Sequence, residues 1–206
     1  MAKGSGKSRE NKLVVGITGA SGVVYGLRLL EALRDLAIES HLVVSKPGQM
    51  TIGYETKLAA KDVAAKADAN YAIDDIAAPI ASGSFRTRGM IVAPCSVRSW
   101  SEIASGVTTN LLTRAADVTL KERRPLILLV RESPLHLGHL RTLAQLSEMG
   151  AIILPPMPAF YAEPKTISDI VDQQVGRMLD LLGLDWPDTK RWGEDLTKGR
   201  RKGREA

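Results

Sequence analysis

The stretch LVVGITGASGVVYGLRLLEAL, residues 13–33, decides the fold class. Its apolar start predicts a buried parallel-type strand over 13–18, because strands buried on both faces are continuous apolar runs. Three glycines spaced three apart (Gly16, Gly19 and Gly22) begin within this run and extend beyond it. Leucines then recur at the period of an amphipathic helix over 25–36. A strand, a tight glycine turn and a helix in this order are typical of an α/β domain with a ligand-binding turn after its first strand.

The same alternation of strand and helix continues along the chain. Further strands are predicted at ESHLVVSK (39–46), GMIVAPCS (89–96), PLILLVRE (125–132) and AIILPPMP (151–158). Helical patterns occupy 51–67, 100–122, 135–150 and 168–184, with Gly150 as a stop signal and Ser168 as the N-cap of the last helix. Five strands separated by helices predict a flavodoxin-like or Rossmann-like three-layer α/β sandwich with a mostly parallel sheet.

The composition is that of an ordinary globular domain, with 44% hydrophobic and 25% charged residues among 206. We expect a disordered basic N-terminus over 1–11, one domain over 12–184 and a C-terminal tail over 185–206 that is basic at its end. The net charge of +5 is concentrated at the two ends of the chain. Aromatic residues are only 4% and do not alternate with basic ones, so we expect no nucleic-acid partner.

We expect neither a membrane span nor a secretory signal from this sequence. No apolar run reaches the 18 or more residues of a membrane span, and the first dozen residues lack the apolar core of a secretory signal. Cys95 is the only cysteine, so no disulfide can form within one chain. We therefore expect a cytoplasmic protein without a membrane partner.

Hydroxyl and cationic side chains follow the predicted strands. In an open parallel sheet these positions lie together at the carboxyl edge, where ligands bind. Serine hydroxyls, an arginine and a helix N-terminus predict a phosphate site there. The residues concerned lie at 18–22, 45–46, 94–99, 131–132 and 155–161.

The glycine spacing indicates which phosphate ligand fits. It is G-x-x-G-x-x-G, which is not the dinucleotide pattern, and Ser45 and Lys46 stand where an NAD site needs an acid for the ribose. The turn is not closed by Gly-Lys-Ser or Gly-Lys-Thr, so it is no P-loop either. A mononucleotide with one phosphate fits better than a dinucleotide.

The strings APCSVRS (93–99), RAADVTLKERRPL (114–126) and PPMPAFY (155–161) carry a more specific signal than the turn. With them, the chain from about 12 to 184 resembles the flavin prenyltransferase family of the UbiX type. The resemblance implies a fold that binds FMN without adenine, needs no metal and assembles as a homo-oligomer, usually a dodecamer with the flavin at subunit interfaces.

The resemblance also implies an activity. A dimethylallyl group passes from dimethylallyl monophosphate to N5 and C6 of reduced FMN, and the prenylated FMN serves UbiD-type decarboxylases as a cofactor. Two alternatives stay open: an FMN-dependent decarboxylase subunit, and a non-catalytic FMN carrier. The related cysteine decarboxylases have a Pro-x-Met-Asn-type clamp, whereas Met157 here precedes Pro158.

Carried over by position, the resemblance implies three sets of site residues. FMN would be held by Gly19, Ala20, Ser21, Ser45, Ser96, Val97, Arg98, Ser99 and Arg131. The prenyl phosphate would be held by Ser82, Lys121, Arg131, Tyr161 and Arg177. The catalytic groups would be Ser21, Glu55, Arg114 and Glu132. The chain departs from many members at Ser99, where threonine is frequent, and at Arg98, where a small residue or lysine is frequent.

Plainer interpretations exist for several of these residues taken alone. Arg131 and Glu132 can form a simple salt bridge at a strand end, and Arg114 can pair with Asp117 on its helix surface. Lys121 belongs to a charge run of the kind that is usually a solvated helix end.

Histidine and cysteine give no sign of a metal or of a reactive thiol. His136 and His139 are three residues apart, but no cysteine or acid cluster accompanies them, so we predict no metal site. Cys95 follows an apolar run and is expected to be an inert buried residue.

Overall fold

The structure is a computed structural model that describes residues 11–193. The chain divides between Pro155 and Pro156 into two compact units. Of the two terminal segments expected from the sequence, residues 1–10 and residues 194–206 lie outside the described part of the chain.

The first unit contains a six-stranded sheet in which all neighbouring strands are parallel. The strands are β1 (Lys12–Ile17), β2 (Glu39–Val44), β3 (Ala69–Tyr71), β4 (Met90–Cys95), β5 (Leu126–Val130) and β6 (Ala151–Ile153). Their order is β3-β2-β1-β4-β5-β6, the Rossmann order, in which the direction of winding reverses between β1 and β4. The predicted fold class is confirmed, and β3 is an edge strand that the sequence did not predict.

Within residues 11–193, six α-helices belong to the first unit and one to the second. They are α1 (Val23–Asp35), α2 (Lys46–Glu55), α3 (Ala60–Ala64), α4 (Val97–Ser105), α5 (Leu111–Lys121), α6 (Leu137–Glu148) and α7 (Ile167–Asp180). The helical pattern over 100–122 forms two helices because Gly106 adopts a left-handed conformation (φ 69°) and ends α4.

Helices cover both faces of the sheet, and residues on successive positions of β1 show this. A Cβ on Gly16 would lie 3.2 Å from the Leu112 side chain of α5. The next residue, Ile17, faces α1, where a Cβ on Gly26 would lie 2.9 Å from its side chain and 2.4 Å from the Ala93 carbonyl oxygen. Gly26 therefore lets α1 approach the strands closely, and the three-layer arrangement follows from the alternation of side chains along a strand.

The N-cap predicted for the last helix is wrong. Thr166, not Ser168, caps α7: its Oγ1 accepts a hydrogen bond from the Asp169 N–H at 3.1 Å, and the Asp169 carboxylate accepts one from the Thr166 N–H at 2.9 Å. This reciprocal capping box satisfies two helix-end donors at once, which an N-cap at Ser168 would not. The predicted stop at Gly150 fits its left-handed φ of 99° just after α6.

Cys95 ends β4 and is fully buried. Burial in apolar surroundings raises the pKa of its thiol far above the usual range. The thiol therefore stays protonated, as expected for an inert core residue.

Two kinds of feature are absent from residues 11–193. No helix there is long and apolar enough to cross a membrane. In the same residues no group of three or more His, Cys, Asp or Glu side chains is placed to hold a metal ion.

Candidate functional site

A cavity of about 720 Å³ lies at the carboxyl ends of β1, β2, β4 and β5. The loops that follow these four strands supply most of its wall, as the Rossmann order predicts. All residues expected to hold FMN line this cavity, and so does Glu132. They are Gly19, Ala20, Ser21, Ser45, Ser96, Val97, Arg98, Ser99 and Arg131.

Gly19 lets the first loop pack against the second. A Cβ at this position would lie 2.4 Å from Pro47 Cβ, a distance at which one of the two loops must move. Gly22, by contrast, is required by its backbone, since it has a left-handed φ of 104° at the start of α1. Gly19 and Gly22 are therefore required for different reasons: Gly19 for close packing of the loops and Gly22 for its backbone conformation.

Thr18 joins the loops after β1 and β4. The sequence placed it within the range 18–22 at the ligand edge but assigned it no role in the site. Its buried Oγ1 donates a hydrogen bond to the Pro94 carbonyl oxygen at 2.8 Å and accepts one from the Ser96 N–H at 2.8 Å. The only signal in the sequence is a hydroxyl residue directly after a predicted buried strand.

Glu55 caps the N-terminus of α1 from the end of α2. Its carboxylate accepts hydrogen bonds from the Gly22 N–H at 2.9 Å and the Val23 N–H at 3.0 Å. Burial raises the pKa of Glu55, but hydrogen bonds from the Ser21 hydroxyl and these two N–H groups outweigh it, and the pKa lies below its usual value. A negative charge therefore already occupies the helix N-terminus that follows the glycine turn.

The N-terminus of α4 faces the cavity, as do the N-terminal residues of α2 and α5. The Ser96 side chain forms no capping bond, and the N–H groups of Val97, Arg98 and Ser99 have no acceptor within the helix because they belong to its first turn. The Ser96 and Ser99 hydroxyls lie 3.2 Å apart beside them. Partial positive charge with two hydroxyls is the environment that a phosphate prefers.

Arg98 is held at the rim of the cavity by an acid of its own helix. Its Nε donates to Glu102 at 2.8 Å, while its side chain remains 74% exposed. Glu102 also accepts from the Thr109 hydroxyl at 2.8 Å. Although burial raises the pKa of Glu102, these hydrogen bonds lower it overall, so the carboxylate stays charged against Arg98.

Arg131 and Glu132 do not pair with each other within residues 11–193. The Glu132 carboxylate instead accepts a hydrogen bond from the Ser133 N–H at 2.9 Å. The salt-bridge interpretation of this dipeptide is therefore wrong. Both side chains are exposed at the cavity, which leaves a cation and a carboxylate available to a ligand there.

Ser82 and Lys121 belong to a second polar cluster in the first unit, around the loop 81–85. The Ser82 hydroxyl lies 2.9 Å from that of Ser84, and Lys121 pairs with Glu122. A Cβ on Gly83 would lie 2.8 Å from Lys121 Nζ, so the loop and the lysine pack closely. Neither Ser82 nor Lys121 lines the cavity described above.

Arg114 belongs to the same cluster. Its Nε donates to the Ala81 carbonyl oxygen at 3.2 Å, and its guanidinium pairs with Asp117 at 2.8 Å. The helix-surface pair expected as the plainer interpretation is thus present, together with a contact to the loop that carries Ser82.

Tyr161 and Arg177 lie in the second unit. Tyr161 is in the short 3-10 turn Phe160–Ala162, where its ring packs edge-to-face on Trp192 with centroids 5.6 Å apart. Arg177 is on α7 with an exposed side chain. The predicted site residues therefore fall into three sets along the chain: the cavity with the adjoining Glu55, the cluster at 81–85, and the second unit.

Comparison with known proteins identifies the relatives of this chain. The model of the Flavoprotein family matches residues 1–179. The flavin prenyltransferase UbiX of Escherichia coli K12 is 52% identical over 178 residues, which cover 86% of this chain and 94% of the relative.

Two solved structures are similar over nearly their whole length. AnUbiX (PadA1), crystallised with FMN and dimethylallyl pyrophosphate, is 49% identical with a TM-score of 0.88, covering 89% of this chain and 98% of that one. The dodecameric FMN-dependent UbiX-like decarboxylase of Escherichia coli O157:H7 is 51% identical with a TM-score of 0.86, covering 88% and 98%. The chain belongs to the Flavoprotein family and, within it, to the UbiX flavin prenyltransferases.

Proposed function

We propose that this chain transfers a dimethylallyl group from dimethylallyl monophosphate to N5 and C6 of reduced FMN. The single observation that carries the proposal is the cavity at the carboxyl edge of the sheet, which gathers the whole FMN-binding set expected from the family together with Glu132. A relative with 49% identity was crystallised with FMN and dimethylallyl pyrophosphate, which supports FMN and a dimethylallyl phosphate ester as the two ligands.

The residues of the cavity fit a flavin mononucleotide. The first turn of α4 offers N–H groups and the Ser96 and Ser99 hydroxyls to the phosphate. Ser45 accepts from the Gly48 N–H at 3.0 Å, which leaves its own proton to donate. Because Gly19 keeps the first loop against the second, the backbone of that loop forms a wall without side-chain bulk. When bound in its reduced form, FMN supplies the two nucleophilic positions.

The prenyl phosphate needs positive charge as it leaves. The C–O bond to phosphate breaks, inorganic phosphate departs with the electron pair, and the C5 unit bonds to N5, which loses its proton. The C=C bond of the attached group then takes up a proton at one carbon while its other carbon bonds to C6, and C6 loses its proton. Lys121, Arg131 and Arg177 neutralise the departing oxygens, with hydroxyls of Ser82 and Tyr161 as further donors. Removing one such donor typically costs about a hundredfold in rate.

The two carboxylates have different tasks in this proposal. Glu55 holds its negative charge at neutral pH, since its pKa is lowered, and it accepts a hydrogen bond from the Ser21 hydroxyl. It therefore orients Ser21 at the cavity rather than donating a proton. Glu132, exposed at the cavity, accepts the proton that leaves C6.

The assembly and the recipient of the product are part of the proposal. We expect a homododecamer, by analogy with the dodecameric relative. The family resemblance implies that its flavin sites lie between subunits. The prenylated FMN then passes to a UbiD-type decarboxylase, which uses it as a cofactor.

Mass spectrometry of the flavin tests the function. We expect protein incubated without oxygen with reduced FMN and dimethylallyl monophosphate to yield a flavin heavier by one C5 unit. Parallel reactions with the diphosphate donor and with oxidised FMN define the donor and the redox state required.

An unchanged flavin mass with both donors would contradict the transferase. If FMN nevertheless binds tightly, the carrier hypothesis gains support. A carboxylate substrate that loses CO₂ on the purified chain would instead favour the decarboxylase alternative.

A further inference from the structure

In the second unit, residues 186–192 run along α7, and we call this segment the C-terminal strap. Trp186 and Thr189 of the strap are buried, at 1% and 5% exposure. Gly176 of α7 has no room for a side chain, since a Cβ there would lie 1.8 Å from Thr189 Oγ1. The residue next to Gly176 is Arg177, so the strap is in close contact with the part of α7 that carries this arginine.

Lys190 fastens the strap to α7 through its backbone. Its N–H donates to Gln173 Oε1 at 3.1 Å, and its carbonyl oxygen accepts from Gln173 Nε2 at 2.8 Å. Gln173 lies one turn before Arg177 on α7. This pair of bonds fixes the position of Lys190 along the helix, as a short sheet-like bridge would.

The side chain of the same lysine reaches a different element. Lys190 Nζ donates to the Ala162 carbonyl oxygen at 3.0 Å. Ala162 follows Tyr161 in the 3-10 turn Phe160–Ala162. Two residues further along the strap, Trp192 packs edge-to-face on the Tyr161 ring. Lys190 therefore connects the helix that carries Arg177 with the turn that carries Tyr161.

We propose that Lys190 is a positioning residue for the prenyl phosphate: it fixes the Tyr161 hydroxyl relative to the Arg177 guanidinium. This inference rests on the proposed function, in which both groups hold that phosphate. Two donors on separate elements bind one anion well only if their spacing is set before the ligand arrives, because ordering them on binding costs affinity.

Lys190→Met tests the role, since it removes the ammonium group and keeps most of the apolar stem. We expect the KM for dimethylallyl monophosphate to rise about tenfold, the usual effect of losing one charge-assisted hydrogen bond. The Kd for FMN should stay within about twofold of wild type, because Lys190 is not among the residues that line the cavity. Lys190→Arg, which can still donate to the Ala162 carbonyl oxygen, should recover part of the loss.

Lys165→Met is the matched control. Lys165 is an exposed lysine of the same unit that bonds Asp169 through its backbone N–H, and the substitution leaves that bond in place. We expect its KM for the donor to equal that of wild type.

Amide hydrogen exchange supplies a readout that does not depend on turnover. The Ala162 and Glu163 N–H groups bond to carbonyl oxygens of Ala159 and Phe160 in the turn. If Lys190 holds the turn, both amides exchange faster in Lys190→Met than in Lys165→Met.

Each outcome decides the proposal. If the Ala162 and Glu163 amides of Lys190→Met exchange at the control rate, the positioning role is overturned. It is also overturned if they exchange faster but the KM for the donor is unchanged. A fall in kcat and melting temperature at constant KM would show that Lys190 has only a structural role. If wild-type protein makes no prenylated flavin, the proposed function fails with the role built on it, while the exchange data still decide whether Lys190 holds the turn.

Discussion

Thr18 is a buried residue that holds part of the candidate ligand site in position. Its hydroxyl is buried and bonds to both the Pro94 carbonyl oxygen and the Ser96 N–H. The second of these bonds sets the position of Ser96, the N-cap residue of α4. The geometry of the α4 N-terminus therefore depends on the side chain of the residue that follows β1, almost eighty positions earlier in the chain.

Thr18→Val tests this dependence with a change of nearly constant volume. It leaves the Ser96 N–H without its acceptor, and we expect about 2 kcal/mol lower stability. FMN affinity should fall about tenfold as the α4 N-terminus loses its fixed position. Denaturant unfolding and flavin fluorescence titration measure the two effects.

Thr119→Val is the control for Thr18→Val. The Thr119 hydroxyl is equally buried, but it donates to the Ala115 carbonyl oxygen within α5, away from the cavity. FMN affinity should therefore be unchanged. Equal affinities for the two variants would show that Thr18 has no special part in the site.

At the scale of elements, α1 and α2 stabilise each other through Glu55. The last residue of α2 places a carboxylate on the first N–H groups of α1. The pKa of this carboxyl is lowered in the folded chain, so folding favours its ionised form. Its contribution to stability is complete above the ordinary value of 4.5 and is lost as the pH falls through the lower folded value.

Glu55→Gln should reveal this contribution as a function of pH. At pH 7 we expect a loss of about 1 kcal/mol in unfolding free energy, typical of a partly exposed helix cap. The difference from wild type should shrink as the pH falls below about 4.5, because wild type then loses the same charge. Glu148→Gln, an exposed site at the end of α6, should show no such trend. A constant Glu55→Gln difference from pH 7 to pH 3 would contradict the cap.

The sequence predicted elements well where a periodic pattern was long. All five predicted strands are present, because continuous apolar runs between polar turns have few alternatives. The three residues of β3 are too short to carry a period. Ser45 and Lys46, placed in a strand by their apolar neighbours, instead start α2, since Ser45 caps the Gly48 N–H.

The part of the candidate site that depends on strand order could be predicted from the sequence. Strand ends in a parallel sheet share one edge, so the loops that line the cavity followed from the strand order, and the family and its FMN ligand are confirmed. Contacts such as Thr18 with Ser96 or Lys190 with Ala162 join distant segments that only the folded chain brings together.

At the scale of the whole molecule, the residues expected in one site occupy separate places on the chain. Glu132 lines the cavity, whereas Lys121 is packed at the loop 81–85 and does not. An assembly in which one subunit supplies the cavity and another supplies the cluster at 81–85 would bring them into one site.

Mixed assemblies test this arrangement. We expect Glu132→Gln to bind FMN without turnover and Lys121→Ala to turn over poorly. When the two variants are co-expressed in equal amounts, about a quarter of the wild-type activity should return. Lys121→Ala subunits supply an intact cavity and Glu132→Gln subunits supply an intact cluster, and random assembly pairs the two in about a quarter of the sites. Activity no higher than that of either variant alone would place both residues in the site of a single chain.

The burial of Cys95 makes the chain a convenient host for site-specific labels. Its protonated thiol, at the end of β4, is shielded from dyes that react with thiolates at neutral pH. A single exposed cysteine, introduced for example by Lys165→Cys, would then react alone. Fluorescent or spin labels can thus be placed beside the Phe160–Ala162 turn without removing the native cysteine.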